Sequence, residues 1–217
     1  MRLNISVPEH LSEITLEQYQ KYAKVNNEEN QNTAFLMHKM VEIFCNLNLK
    51  DVATIQYKYV LSIIAMLNEL FEEKNTLIPT FNLNGIEYGF IPNLDEMSLG
   101  EYIDLDKNIS EWATMHKAMA VLYRPITINK KERYQIEEYN GLDNSDIMKK
   151  MPLNVVMGSM VFFYNLNNEL LKITLKYLER QTKTNLTSHQ KAILQKNGVG
   201  ISRYMGLLAE MLPNLKM

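Results

Sequence analysis

"SEWATMHKAMAVLYRPITINKKERYQIEEY", residues 110–139, changes its period in the middle. Met115 and Met119 stand at helical spacing, and the stretch up to Arg124 predicts a helix stopped before Pro125, because the residue preceding a proline is driven out of the α region. After Pro125, "ITINKKERYQIEEY" reads as a hairpin of exposed character. A firmer hairpin signal lies upstream in "TFNLNGIEYGF", residues 80–90. There Asn84-Gly85, the favoured dipeptide of a type I′ turn, separates two short alternating runs. Phe81 and Leu83 share a face that Ile86, Tyr88 and Phe90 continue.

Outward from these hairpins the chain reads as helix. "MRLNISVP" alternates Leu3, Ile5 and Val7 and stops at Pro8, which predicts a short strand or extended arm. "TLEQYQKYAKV" opens with Thr15 and Gln18 at the spacing of a capping box. "TAFLMHKMVEIFCNL" presents Phe35, Leu36, Met40, Ile43, Phe44 and Leu47 as one apolar face. "VATIQYKYVLSIIAMLNELFEEKN" predicts a long helix, capped by Asp51, with a stripe of Tyr59, Ile63, Met66, Leu67 and Leu70. "NSDIMKKMP" predicts a short helix, and Pro152 suits the first position of a long one running to about Arg180. Further helices are expected around "SHQKAILQKN" and "SRYMGLLAEML", with a break at Gly198–Gly200. The expected class is mainly α: a multi-helix bundle with one or two small β-hairpins. Its segments are 1–78, 79–142 and 143–217, forming one compact domain.

Between the two hairpin signals lies "FIPNLDEMSLGEYIDLDKNISEW", with Asp95, Glu96, Glu101, Asp104, Asp106 and Glu111 around a single glycine. Ser98 and Glu101 have the spacing of a capping box, and Met97 and Tyr102 that of a hydrophobic staple. Acids at a helix start also complement the positive end of its dipole. The same order, apolar, hydroxyl, Leu, any residue, Glu or Gln, Tyr, begins the helix at Ile14-Thr15-Leu16. As a catalytic or metal site the acids are less apt. Asp104 and Asp106 point apart on a helix, and no histidine follows any of these acids at i+3 or i+4. The acids therefore read as a helix start and a solvated face.

Other constellations are structural in character. His10, His38, His116 and His189 are scattered without metal spacing. Cys45 is the single cysteine, which excludes an intrachain disulfide and a thiolate zinc site and reads as a small buried hydrophobe. There is no phosphate loop, and "MGSM" at 157–160 lacks the second glycine of a nucleophile elbow. No catalytic residue, cofactor or metal is expected. Arg124, ending an apolar helix beside Glu101, Asp104 and Asp106, is the candidate for a buried polar brace. Among 14 methionines, Met157 and Met160 fill gaps in a helical core or, alternatively, line an adaptable docking groove.

With 217 residues, 46% hydrophobic and 22% charged, the chain has the composition of a globular protein able to bury a core. A net charge of −2 excludes the basic surplus usual in proteins built to grip nucleic acid. No signal peptide is expected, and "MPLNVVMGSMVFFYNL" is too short and too interrupted for a membrane span. Lysine outnumbers arginine and asparagine is abundant, a bias that AT-rich codons explain.

The stretch "FNLNGIEYGFIPNLDEMSLGEYIDLDKNISEWATMHKAMAVLYRPI", residues 81–126, resembles a segment of proteins of unassigned role in tailed bacteriophages, crAss-like phages and their relatives among them. "MPLNVVMGSMVFFYNLNNELL" accompanies it. The order of hairpin, "MSLGEYIDL" and helical remainder is also similar to phage tail assembly chaperones. The resemblance covers under half the chain and carries no catalytic motif. It implies a non-enzymatic virion component, a neck or tail ring, head-tail connector or packaged cargo protein, made in the host cytoplasm. Its partners would be other phage structural proteins, in a homo-oligomer or ring. The alternative is a cytoplasmic tail assembly chaperone that leaves before maturation, and a lesser one is an enzyme using the acids at 95–106.

Overall fold

The computed structural model describes residues 5–182, apart from 28, 32, 131 and 132. Leu3 of the arm, His189 and the helices expected around "SHQKAILQKN" and "SRYMGLLAEML" lie outside the described residues. In order, the elements are α1 (Leu16–Val25), α2 (Ala34–Phe44), α3 (Leu49–Val52), α4 (Tyr57–Phe71), β1 (Thr80–Leu83), β2 (Ile86–Phe90), α5 (Leu99–Asn108), α6 (Met115–Leu122), β3 (Tyr123–Lys130), β4 (Arg133–Ile136) and α7 (Leu153–Thr182).

Side chains start the first helices. Thr15 closes a capping box on α1, its hydroxyl accepting from Gln18 N at 3.2 Å while Gln18 Oε1 accepts from Thr15 N at 2.9 Å. Thr33 caps α2 through Leu36 N. The helix expected over 52–75 is shorter, α4 alone, and residues 53–56 before it are a turn. Asn48, not Asp51, caps the short α3, and α4 begins only at Tyr57. The buried stripe of α4 is Val60, Ile63, Leu67 and Leu70, whereas Tyr59 and Met66, expected in it, are exposed. Residues 59–67 are apolar at every position but Ser62, so periodicity alone does not choose the face. Phe35, expected on the core face of α2, is exposed as well.

The expected class is corrected by the sheet. β1 to β4 form one four-stranded antiparallel sheet in sequence order, so the protein is mixed α and β, and neither an all-α protein nor a helix bundle with small separate hairpins. The β1–β2 turn has Asn84 at φ 53° and Gly85 at φ 83°, the left-handed pair that a type I′ turn requires. What the sequence conceals is the pairing of β2 with β3, Tyr88 opposite Pro125 and Phe90 opposite Tyr123. Tyr123 and Arg124 accordingly belong to a strand, not to the end of a helix. A proline in a central strand is tolerated here for a local reason. Glu137 N donates to Pro125 O at 2.9 Å, so the donor that Pro125 lacks would face the chain just beyond the end of β4.

One apolar cluster joins α1, α2, α4, the sheet, α5, α6 and the start of α7, with residues running from Leu11 to Tyr164. Three contacts seat α7 in it. The chain at Thr15 pairs with Pro152, through Leu16 N to Met151 O at 2.9 Å and Leu153 N to Ile14 O at 2.8 Å. The fully buried Tyr123 donates its hydroxyl to Ile78 O at 2.8 Å and lies 2.9 Å from Ser159 Oγ. Gly158 presses directly on the backbone at Thr76. Across the sheet, the Tyr134 ring lies over Gly89, where a Cβ would overlap it, and its hydroxyl donates to Phe90 O at 2.8 Å. Among the described residues no helix is long and apolar enough to cross a membrane.

Candidate functional site

Ser98 starts α5 with the second capping box: its hydroxyl accepts from Glu101 N at 3.3 Å, and Glu101 Oε2 accepts from Ser98 N at 2.7 Å. The other oxygen of that carboxylate, Oε1, meets Arg124 Nη2 at 2.7 Å. Glu101 thus joins the start of α5 to strand β3. Both partners are largely removed from water, with side-chain exposures of 13% for Arg124 and 8% for Glu101, so their attraction is not screened as in a surface pair. Burial by itself raises the Glu101 carboxyl. The Ser98 backbone and hydroxyl hydrogen bonds and the Arg124 guanidinium outweigh it and hold the group below the usual carboxylate range.

Tyr139 completes the arrangement from the chain after β4. Its ring lies 5.8 Å from the Arg124 guanidinium, and its hydroxyl donates to Asp104 Oδ2 at 2.5 Å. Burial and that bond to a carboxylate push the phenol upward, so it remains a neutral donor. Arg124 Nε is buried and has no hydrogen-bond partner. Two clefts, of about 490 and 570 Å³, meet at this residue. Both are bordered by Arg124, Glu137, Glu138 and Tyr139; one reaches Asp143 and Asp146, the other Glu96 and Ser98.

Chemically, two of the carboxylates at the centre of this site are already engaged, while Arg124 Nε is left without a partner. Glu101 accepts from a cap and an arginine and is held below the usual carboxylate range, the opposite of a general acid, and Asp104 accepts from a phenol. Among the described residues no group of three or more His, Cys, Asp or Glu is placed to hold a metal ion. What remains available is surface. Leu99, Tyr102 and Ile103 are exposed at 74%, 47% and 53%, and their spacing puts them on one side of α5.

Of the residues singled out in the sequence, Ser98, Glu101 and Arg124 meet in one place, with Tyr102 on the adjoining helix surface. Met157 and Met160 do not join them. They are buried in the core with Met115, Met119, Met148 and Met151. Tyr139 was not singled out. It lies 35 residues from Asp104, and no spacing rule links the two.

His116 is a buried polar residue whose partner Gln20 comes from 96 residues away. Gln20 Nε2 donates to Trp112 O at 2.6 Å and stands 3.1 Å from His116 Nδ1. That amide makes Nδ1 the acceptor and leaves the ring proton on Nε2, 3.4 Å from Asp146 Oδ1. Burial, aided by Lys149, lowers the pKa from the ordinary 6.5. A folded-state histidine pKa below the unfolded value means that the unfolded chain binds the proton first. The stability from neutral His116 is therefore complete above pH 6.5 and is lost as pH falls from there through the folded pKa. An imidazole titration followed by NMR should have its midpoint below 6.5; a midpoint above that value contradicts the assignment.

Comparison with known protein families, with curated proteins and with solved structures yields no match.

Proposed function

We propose that the protein is a non-enzymatic component of a tailed-phage particle, a neck or tail ring subunit or packaged cargo, that joins other structural proteins through exposed helical faces. The observation carrying this reading is the α5 surface. Three large apolar side chains, Leu99, Tyr102 and Ile103, stand in solvent on a helix whose base is fixed by the Ser98–Glu101–Arg124 connection. A contiguous apolar patch on a rigid element suits docking. Of the acids at 95–106, Glu101 and Asp104 are engaged in holding that element, which supports a structural reading of them. The segment resembling tailed-phage proteins contains the whole of it, since α5 lies within residues 81–126.

Quantitative mass spectrometry of purified particles against infected-cell lysate tests the assignment. The expected result is a fixed ratio of this chain to the major capsid protein. Abundance in lysate with absence from particles would identify an assembly chaperone instead. A Leu99→Glu, Ile103→Glu variant should keep its melting temperature and lose incorporation, because both side chains already face water. Unchanged incorporation would remove α5 from the interface.

A further inference from the structure

The outward face of α4 is self-complementary. Opposite its buried stripe it exposes, in order, Lys58, Leu61, Ser62, Ala65, Met66 and Glu69. Their separations of 3, 1, 3, 1 and 3 residues read the same in both directions. The small residues Ser62 and Ala65 occupy the middle, an apolar residue flanks each, and a lysine and a glutamate stand at opposite ends. Leu61 and Met66 are both 44% exposed. Among the described residues neither Lys58 nor Glu69 has an ion-pair partner in its own chain; Lys58 instead lies 4.7 Å from the ring of Tyr59.

We infer that α4 packs against α4 of a second copy of this chain, antiparallel about a two-fold axis between Ile63 and Ile64. Reversing the helix about that axis brings Lys58 against Glu69 of the second copy and Leu61 against Met66 of the second copy. Ser62 meets Ala65 where the two backbones cross and must approach most closely. A two-fold interface requires such a surface, one that complements itself when reversed. Parallel packing would place lysine by lysine and glutamate by glutamate. The remaining exposed aromatics of the helix, Tyr57 and Tyr59, flank the seam and widen it. One helix face is smaller than the roughly 800 Å² per partner of a standard interface, so this is a weak, concentration-dependent dimer. This dimer does not depend on the assignment to a phage particle and would exist in the isolated protein.

Sedimentation of the full chain over a range of micromolar concentrations, at low and at high salt, reads the equilibrium directly. Wild type should pass from monomer to dimer, less readily at high salt. Lys58→Glu alone puts two carboxylates opposite each other, and Glu69→Lys alone puts two ammonium groups there. Each should weaken the dimer about tenfold. The double change Lys58→Glu, Glu69→Lys exchanges the charges and should restore it. Ala65→Arg, which blocks the crossing point, should leave monomer only, with an unchanged circular dichroism spectrum and melting temperature. A wild type that stays monomeric throughout overturns the inference. So does a dimer indifferent to both single changes, or one that the double change fails to restore.

Discussion

Gly158→Ala should destabilise the protein by about 3 kcal/mol, or about 10 °C in Tm, although alanine is the better helix former. Gly158 lies in the first two turns of α7, where a Cβ would overlap the Thr76 carbonyl oxygen and stand 2.9 Å from its carbon. Backbone, unlike the far end of a side chain, cannot swing aside. The segment before β1 would have to lift, and it carries two acceptors that the core uses: Ile78 O for the Tyr123 hydroxyl and Pro79 O for Phe90 N. Gly100→Ala is the matched control. Gly100 is also helical, in the first turn of α5, but the nearest atom to its added Cβ is Ser98 Oγ at 4.0 Å. That change should be neutral or stabilising by about 0.5–1 kcal/mol. Thermal melts of both variants settle the matter, and equal effects would contradict the packing of α7 on residue 76.

Arg124→Ala should cost about 3 kcal/mol, because it leaves the Glu101 carboxylate buried without its cation. The cost falls at the low end for such pairs, since Ser98 N continues to donate to Glu101. Replacing both members, as Arg124→Met with Glu101→Gln, should cost less than Arg124→Ala alone, since no unpaired charge then remains. The pH dependence separates this account from simple loss of packing. Glu101 has its pKa lowered in the folded state, so its contribution is present above the ordinary value of 4.5 and is lost as pH falls through the folded pKa. The gap between wild type and Arg124→Ala should therefore be widest above pH 4.5 and shrink on acidification. Denaturant midpoints at several pH values measure it. A gap independent of pH would assign the loss to the arginine stem, and no gap would mean that Arg124 braces nothing.

Local signals are legible in this sequence and long-range ones are not, for a physical reason. A capping box is complete within four residues, so Thr15–Gln18 and Ser98–Glu101 could be recognised from spacing, as could the left-handed pair Asn84-Gly85. The pairing of β2 with β3 joins residues more than thirty positions apart, and Pro125 stands where strand and helix alike are expected to stop. With that pairing hidden, the sequence shows one or two isolated hairpins where the protein has one four-stranded sheet. The face of α4 was misread because its sequence is apolar nearly all round. That excess is itself informative, since Tyr59, Leu61 and Met66 stand exposed outside the face that the core uses. At the candidate site, the Glu101–Arg124 partnership could be anticipated from charge and proximity, whereas Tyr139 enters only through the return of the chain after β4.

The clasp between Thr15 and Pro152 also sets a schedule. A ribosome adding about 5–20 residues per second needs about 7–27 s to pass from Leu16 to Leu153. Through that interval Ile14 O and Leu16 N wait for partners that do not yet exist, and Tyr123 waits for Ser159. The sheet and the earlier helices are already synthesised, yet the surface that α7 will cover stays open. The nascent protein is thus open to wrong partners on that surface until α7 emerges, and the arrival of α7 is what covers it.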